Sequence, residues 1–354
     1  MIGRRIQQAR RAAGLPLRAL AQQAGISAMA ISKYERDEIV PSSGVLLALS
    51  KALGVRVEYF FREVEITLEQ ISYRKNPALS DREETKVLAE VGDHLERWLE
   101  LERFIPTSWS TPFALPDGLP ETVVDFDQIE AVAIQVRRAW DLGLNPIPDL
   151  IDTLEGRGIK VFTVAYNAHD KFNGLSARAN GKPVVVIGKS WPGDNQRFTL
   201  AHELGHLVLH GRLNPALDEE KACHRFAGSF LVPKPAVFNA LGQSRTWLEP
   251  QELMLLKQEW GLSMGGWSFR AAENGILSKS GMSTFWQLMR SRGWKQREPE
   301  PQYRQEEERL FEQRVYRALA EDLIGESKAA ELLGMNLAQL RACRNMECSH
   351  AADQ

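Results

Sequence analysis

Apolar and polar residues alternate along the chain with periods that predict a mostly helical protein interrupted by one short run of strands. Arg4 to Ala13 has helical spacing and ends at Gly14, Leu17 to Ala24 is closed by Gly25, and Ser27 caps a third helix running to about Glu35. From Ser80 to Glu102, Leu88, Val91, Leu95 and Trp98 recur three and four apart in a strongly charged segment, which predicts one long amphipathic helix. Residues 106–122 hold four prolines and two serines and read as a linker. Helices follow near Phe126 to Leu142 and Ile147 to Gly156, then a strand over Ile159 to Ala165. LSAR and KPVVVIGK flank Ala179, Asn180 and Gly181, and an Asn-Gly pair between extended runs predicts a hairpin. Pro183 predicts that its strand lies at a sheet edge. The next helix holds Phe198 to His210, with Asp194 as its expected cap. In DEEKACHRFAGSFLVP, Cys223, Phe226, Ala227, Phe230 and Leu231 define an inward face that stops before Pro233. Helices over Leu253 to Trp260 and Met264 to Asn274, a charged linker GWKQREPEPQ, and further helices from Glu307 complete the pattern. Lys328 to Ala342 reads as a second, weaker helix-turn-helix or as an ordinary helical hairpin.

Composition narrows the class. A chain of 354 residues, 44% hydrophobic and 25% charged, is long enough for two or three soluble domains. No apolar run of membrane length occurs and the N-terminus is charged from its first turn, so neither a membrane span nor a signal peptide is expected. Three cysteines, Cys223, Cys343 and Cys348, are too few for a disulfide framework and fit a reducing, cytoplasmic setting. Cys343, Cys348 and His350 are read as unconnected rather than as a metal site. Residues 1–62 hold ten Lys or Arg against four Asp or Glu, whereas residues 63–105 hold six against eleven. The basic excess lies at one end, which points to a polyanion partner for that end. There Ala21, Gly25 and Ile31 are spaced as a helix-turn-helix requires: a small residue where helices cross, a glycine for positive φ, and a branched residue returning to the core.

The chemistry centres on HELGH. On a helix His202 and His206 lie about 40° apart on one face, one turn from each other, so both imidazoles can reach a tetrahedral cation. Glu203 points aside, where a carboxylate can take a proton from water activated by that cation. Four of the seven histidines, His202, His206, His210 and His224, fall within 23 residues. His210 would lie about 12 Å along the axis from His202, too far to share one ion, and is expected to cap the helix or sit behind the ligands. The third ligand is sought in the next helix, where Glu219 and Glu220 both border the inward face.

Two resemblances give these patterns a function. LRALAQQAGISAMAISKYERDEIVPS resembles the bacterial and phage repressor helix-turn-helix, the Cro and cI-like or XRE family. That likeness implies that Ser27, Ala28, Met29, Ser32 and Lys33 face the major groove. Leu17 stands where that family often has glutamine, removing an amide able to bond both phosphate and base. HELGHLVLH followed by EKACHRFAGSFLVP resembles the ImmA/IrrE family of metallopeptidases, whose motif pairs HExxH with a glutamate in E-x-x-A-x-x-F-A and selects Glu220, with Cys223 in the small-residue slot. The fold expected is multidomain. An all-α helix-turn-helix domain (1–62) and a connector (63–122), whose long helix serves as a spacer or a dimer helix, precede an α+β zincin-like, gluzincin-type metallopeptidase domain (123–285) and a helical C-terminal region (286–354). The resemblance implies a zinc endopeptidase in which His202, His206 and Glu220 hold Zn2+ and Glu203 is the catalytic base. It would cut a helix-turn-helix repressor, inducing stress-response or mobile-element genes. The other class is a DNA-binding regulator or antitoxin-like protein in which the peptidase fold only senses. Expected partners are DNA, the repressor substrate and, if the long helix is a dimer helix, a second copy, with no membrane.

Overall fold

The computed structural model describes residues 2–62, 68–73, 81–164 and 174–347, the side chains of 68–73 and 81–86 excepted. Three sequence-based expectations reach beyond these residues: the first residue of the long helix, Ser80; the end of the predicted strand, Ala165; and the pair Cys348 and His350. The described chain forms two compact units. One takes 2–62, 81–110 and 309–347, and the other takes 69–73, 111–164 and 174–308.

The first unit begins with α1 (Ile2–Ala12), α2 (Leu17–Ala24), α3 (Ala28–Glu35) and α4 (Ser43–Leu53). Gly25 ends α2 with φ +67°, the Ser27 hydroxyl accepts from the Ala30 amide at the start of α3, and Ala21 and Ile31 are buried where the helices meet. After β1 (Leu68–Tyr73), α5 (Asp81–Glu102) runs alongside α1. Its stripe of Val91, Leu95 and Trp98 is buried within the chain. The Arg5 guanidinium donates to the Arg62 carbonyl at 2.9 and 3.1 Å and pairs with the buried Glu96 of α5. The last three helices, α14 (Leu310–Ala320), α15 (Glu326–Leu332) and α16 (Leu337–Arg344), cluster Val315, Ala318, Leu332 and Leu340 against Leu101 and Ile105. The connector helix is therefore an inner element, shared by the N-terminal and C-terminal helices.

The second unit supports the candidate chemistry. Helices α6 (Phe126–Ala139) and α7 (Leu150–Gly156) lead into β2 (Lys160–Val164), and the hairpin of β3 (Gly174–Ala179) and β4 (Lys182–Gly188) follows. Asn180 and Gly181, at φ +49° and +79°, form the predicted turn. The sheet order is β1-β3-β4-β2, with β2 parallel and β3 antiparallel to β4. Pro183 therefore lies on an inner strand, contrary to the expectation of an edge. Pairing of β2 with β4 begins at Lys160↔Val184, one residue past the proline, so its missing N–H costs no ladder bond on that side.

Helix α8 (Gly193–Leu209) packs on this sheet through Leu200, Ala201 and Leu204, and α9 (Glu219–Leu231), α10 (Lys234–Leu241), α11 (Pro250–Trp260), α12 (Met264–Glu273) and α13 (Lys279–Ser291) complete one core. Asp194 does not cap α8. It sits inside the first turn, buried, 3.3 Å from the Lys257 ammonium. Nor are 293–302 and the residues after them a loose linker. Glu298 accepts from the amides of Met264 and Gly265 at the start of α12, and Glu306 accepts from Leu150 and Ile151 at the start of α7 while pairing with the buried Arg197 of α8. Carboxylates at helix N-termini stabilise exposed amides and the helix dipole, an ordering force that hydrophobic periodicity does not register.

Glu130 of α6 ties the core together. It pairs with Arg270 of α12 at 2.6 Å, accepts from the Ser229 hydroxyl of α9 at 2.7 Å, and lies 3.2 Å from Arg225. Burial pushes its carboxyl upward, but bonding and charge from Arg270, with Ser229 and Arg225, prevail and hold it below the usual carboxylate range. A depressed folded pKa stabilises the fold above the unfolded value, about 4.3, and that stabilisation is lost as pH falls through the folded value. Arg270→Met, which leaves a buried carboxylate without its main partner, is expected to cost about 3–5 kcal/mol in chemical denaturation at neutral pH. The variant should also lose part of the acid-side decline seen in the parent below about pH 4.3. An unchanged midpoint and pH profile would show that this network does not hold the core.

Candidate metal centre and DNA-facing helix

Helix α8 is interior, with 14 of its 17 residues buried, so its polar side chains need partners inside the protein. His202 is fully buried, Glu203 is 1% exposed and His206 is 9% exposed. The Nε2 atoms of His202 and His206 lie 3.1 Å apart. Each is 3.4 Å from a carboxylate oxygen of Glu220 on α9. Tetrahedral coordination at about 2.0–2.1 Å places donor atoms about 3.3–3.4 Å apart, so two imidazole nitrogens and one carboxylate in this triangle fit Zn2+. Glu219 reaches the other nitrogen of the same ring: its Oε1 is 3.1 Å from His206 Nδ1. A carboxylate there fixes the tautomer and leaves Nε2 as the donor.

His224 is the residue that sequence reasoning passed over. One turn beyond Glu220, it has a ligand atom within 4.8 Å of donors on His202 and Glu220, and its ring lies 4.7 Å from that of His202. The grouping of His202, Glu220 and His224 is looser than the His202–His206–Glu220 triangle, and the tighter set is the better match to a small cation. The four-residue step from Glu220 was the available signal. His210, by contrast, is exposed and forms the C-cap of α8.

Close helix packing brings the donors together. A Cβ on Gly205, inside HELGH, would lie 3.3 Å from Cα and Cβ of Cys223 and 3.2 Å from the Phe226 ring. Glycine there lets α9 approach α8 closely, and Glu220 sits one turn before the contact. Cys223 is buried, and burial, followed by the charges of Glu219, Glu220 and Glu203, pushes its thiol far up, so it packs as a neutral side chain. Glu203 lies toward the start of β3, its Oε1 3.7 Å from where a Cβ on Gly174 would be.

On α3, Ser27 and Met29 are exposed, the latter at 71%, while Ala28, Ser32 and Lys33 are half-buried and Ala28 packs on the helical core. Leu17 also packs on that core, which accounts for an apolar residue at the start of α2.

Residues 6–60 match the family described as Helix-turn-helix, and residues 154–271 match a peptidase family described as IrrE N-terminal-like domain. The chain joins a helix-turn-helix domain to an IrrE-like peptidase domain. Over 64 residues it is 39% identical to an uncharacterized transcriptional regulator in ATPase CF(0) region from Rhodospirillum rubrum, a stretch covering 18% of this chain and 59% of that relative. Among the described residues, no helix is long and apolar enough to cross a membrane.

If the triangle in the IrrE-like domain is the metal centre, metal analysis of purified variants should separate the two neighbouring glutamates. Glu220→Ala should lose the single zinc per chain. Glu219→Ala should keep the site and weaken its affinity by roughly 10- to 100-fold through loss of ring orientation. The reverse pattern would exclude Glu220 as a ligand.

Proposed function

We propose that this protein is a DNA-associated zinc endopeptidase that cuts a helix-turn-helix repressor and thereby induces the genes the repressor silences. The observation that supports this reading is the convergence of His202, His206 and Glu220 at ligand spacing. Glu203, beside the triangle and buried, is at hand as the base. Bound zinc supplies Lewis acidity, lowering the pKa of a water toward about 7 and polarising a peptide carbonyl. The chain's own residues do the rest. His202, His206 and Glu220 hold the ion, and Glu219 keeps His206 in the tautomer that offers Nε2. Glu203 takes a proton from the water as its oxygen bonds to the carbonyl carbon, then gives a proton to the amide nitrogen as the C–N bond breaks.

The N-terminal domain gives the reading its substrate class. A basic helix-turn-helix brings the peptidase to operator DNA, where repressors of the same build are concentrated.

Glu203→Gln keeps the side chain's shape and removes its basicity. The variant should hold zinc, bind DNA as the parent does, and cleave repressor roughly 10²- to 10⁴-fold more slowly. Equal gene induction in cells carrying the parent and the variant would instead favour a regulator whose peptidase fold only senses.

A further inference from the structure

The two helices that carry the triangle also wall a cavity of about 580 Å³ in the second unit. Such a volume lies in the range of about 300–1,000 Å³ that ligand sites occupy, well beyond a packing defect. Its lining continues the ligand stripes. On α8, Asp194, Phe198 and His202 follow one another four residues apart, and on α9 Glu220, His224 and Gly228 do the same; Asp194, Phe198, His224 and Gly228 line the cavity. His224 belongs to both places, with its ring 4.7 Å from His202 and stacked on Phe198 at 5.7 Å.

The cavity wall carries a group of aromatic rings among polar and charged residues. Phe269, Trp286 and Trp294 face Phe198 and His224 across it, and Phe269 stays 53% exposed. Gly265 keeps space beside them, since a Cβ there would press on the Trp286 ring at 3.3 Å. Buried charges along the wall are already paired: Lys257 with Glu298 at 3.0 Å and Asp194 at 3.3 Å, and Arg270 with Glu273 at 2.8 Å. Lys295 and Arg297, also in the lining, are exposed to water; a ligand charge placed against the buried wall would have to break the buried pairs, whereas an apolar group gains by covering aromatic surface.

We propose that this cavity receives a large apolar side chain of the substrate, preferentially aromatic, adjacent to the bond that is cut. The inference rests on the peptidase reading of the metal centre. An extended peptide spans about 3.3 Å per residue, so a chain crossing the histidines brings a neighbouring side chain within reach of the cavity lining at His224. The aromatic wall then sets which bonds are cut.

The test uses the full-length, zinc-loaded Glu203→Gln protein and eight-residue peptides that differ at one position, Trp, Phe, Leu, Ala or Lys, with glycine at their other positions. Calorimetry should find Trp and Phe peptides bound roughly tenfold or more tightly than Ala. Adding Phe269→Asp should remove that preference while zinc content stays at one per chain. Equal or unmeasurable affinity across the series, tightest binding of Lys, or a preference that survives Phe269→Asp overturns the proposal. Digestion of the same peptides by wild-type protein separates the two readings. Cleavage without aromatic selectivity sinks the pocket and leaves the peptidase, whereas aromatic-selective binding with no cleavage sinks the peptidase reading.

Discussion

The close approach of α8 and α9 at Gly205 is the constraint on which the rest of the second unit depends. A helix pair that touches backbone to side chain at one point brings the turn before the contact on α9 against the turn at His202 and His206 on α8. A side chain at 205 would press on Cys223 and Phe226 of α9, so those neighbours would have to give way just beyond the turn that carries Glu220. The opposite side of α9 is fixed as firmly. Glu130 binds Ser229 and Arg225, and Arg137 donates to the Phe230 carbonyl at 2.6 Å, so α6 holds α9 in place while glycine admits it. Preorganisation of this kind limits the reorganisation needed on metal binding.

Much of this architecture was legible because its forces are local or periodic. The helix-turn-helix spacing of Ala21, Gly25 and Ile31, the Asn180-Gly181 turn and the inward stripe of α9 each follow from backbone preference or amphipathicity. The readings that failed depended on groups distant in sequence. Pro183 looked like an edge marker until the register placed it one residue outside the β2 ladder. Asp194 looked like a cap because its partner, Lys257, lies 63 residues away in the sequence. The segment 293–302 looked like a linker because its order comes from carboxylates such as Glu298 bonding distant helix starts, not from a core-facing stripe. His224 went unassigned because its two neighbours, Phe198 and His202, stand on another helix.

The two units solve different problems with the same tools. In the first, an arginine and a glutamate taken out of water, Arg5 and Glu96, join α1 to the connector helix, and apolar residues of α5 serve two sets of helices. Burial raises the Glu96 carboxyl despite the bond from Arg5, which marks the pair as one that orients α5 at an electrostatic cost. In the second, the central helix is polar at its start and at its histidine-bearing turns, and two buried charges at its start are matched by residues from later segments, Asp194 by Lys257 and Arg197 by Glu306. Arg197 and Glu306 are the clearest pair. The candidate donors sit on two packed helices rather than on loops.

The central claim is that α9 completes the metal centre with a carboxylate, next to but excluding a thiol and a third imidazole. Zinc K-edge X-ray absorption of the loaded full-length protein tests this most directly. The account predicts two imidazole nitrogens at about 2.0–2.1 Å with the remaining positions filled by oxygen. A sulfur shell at about 2.3 Å, from Cys223, or a third imidazole, from His224, would contradict it.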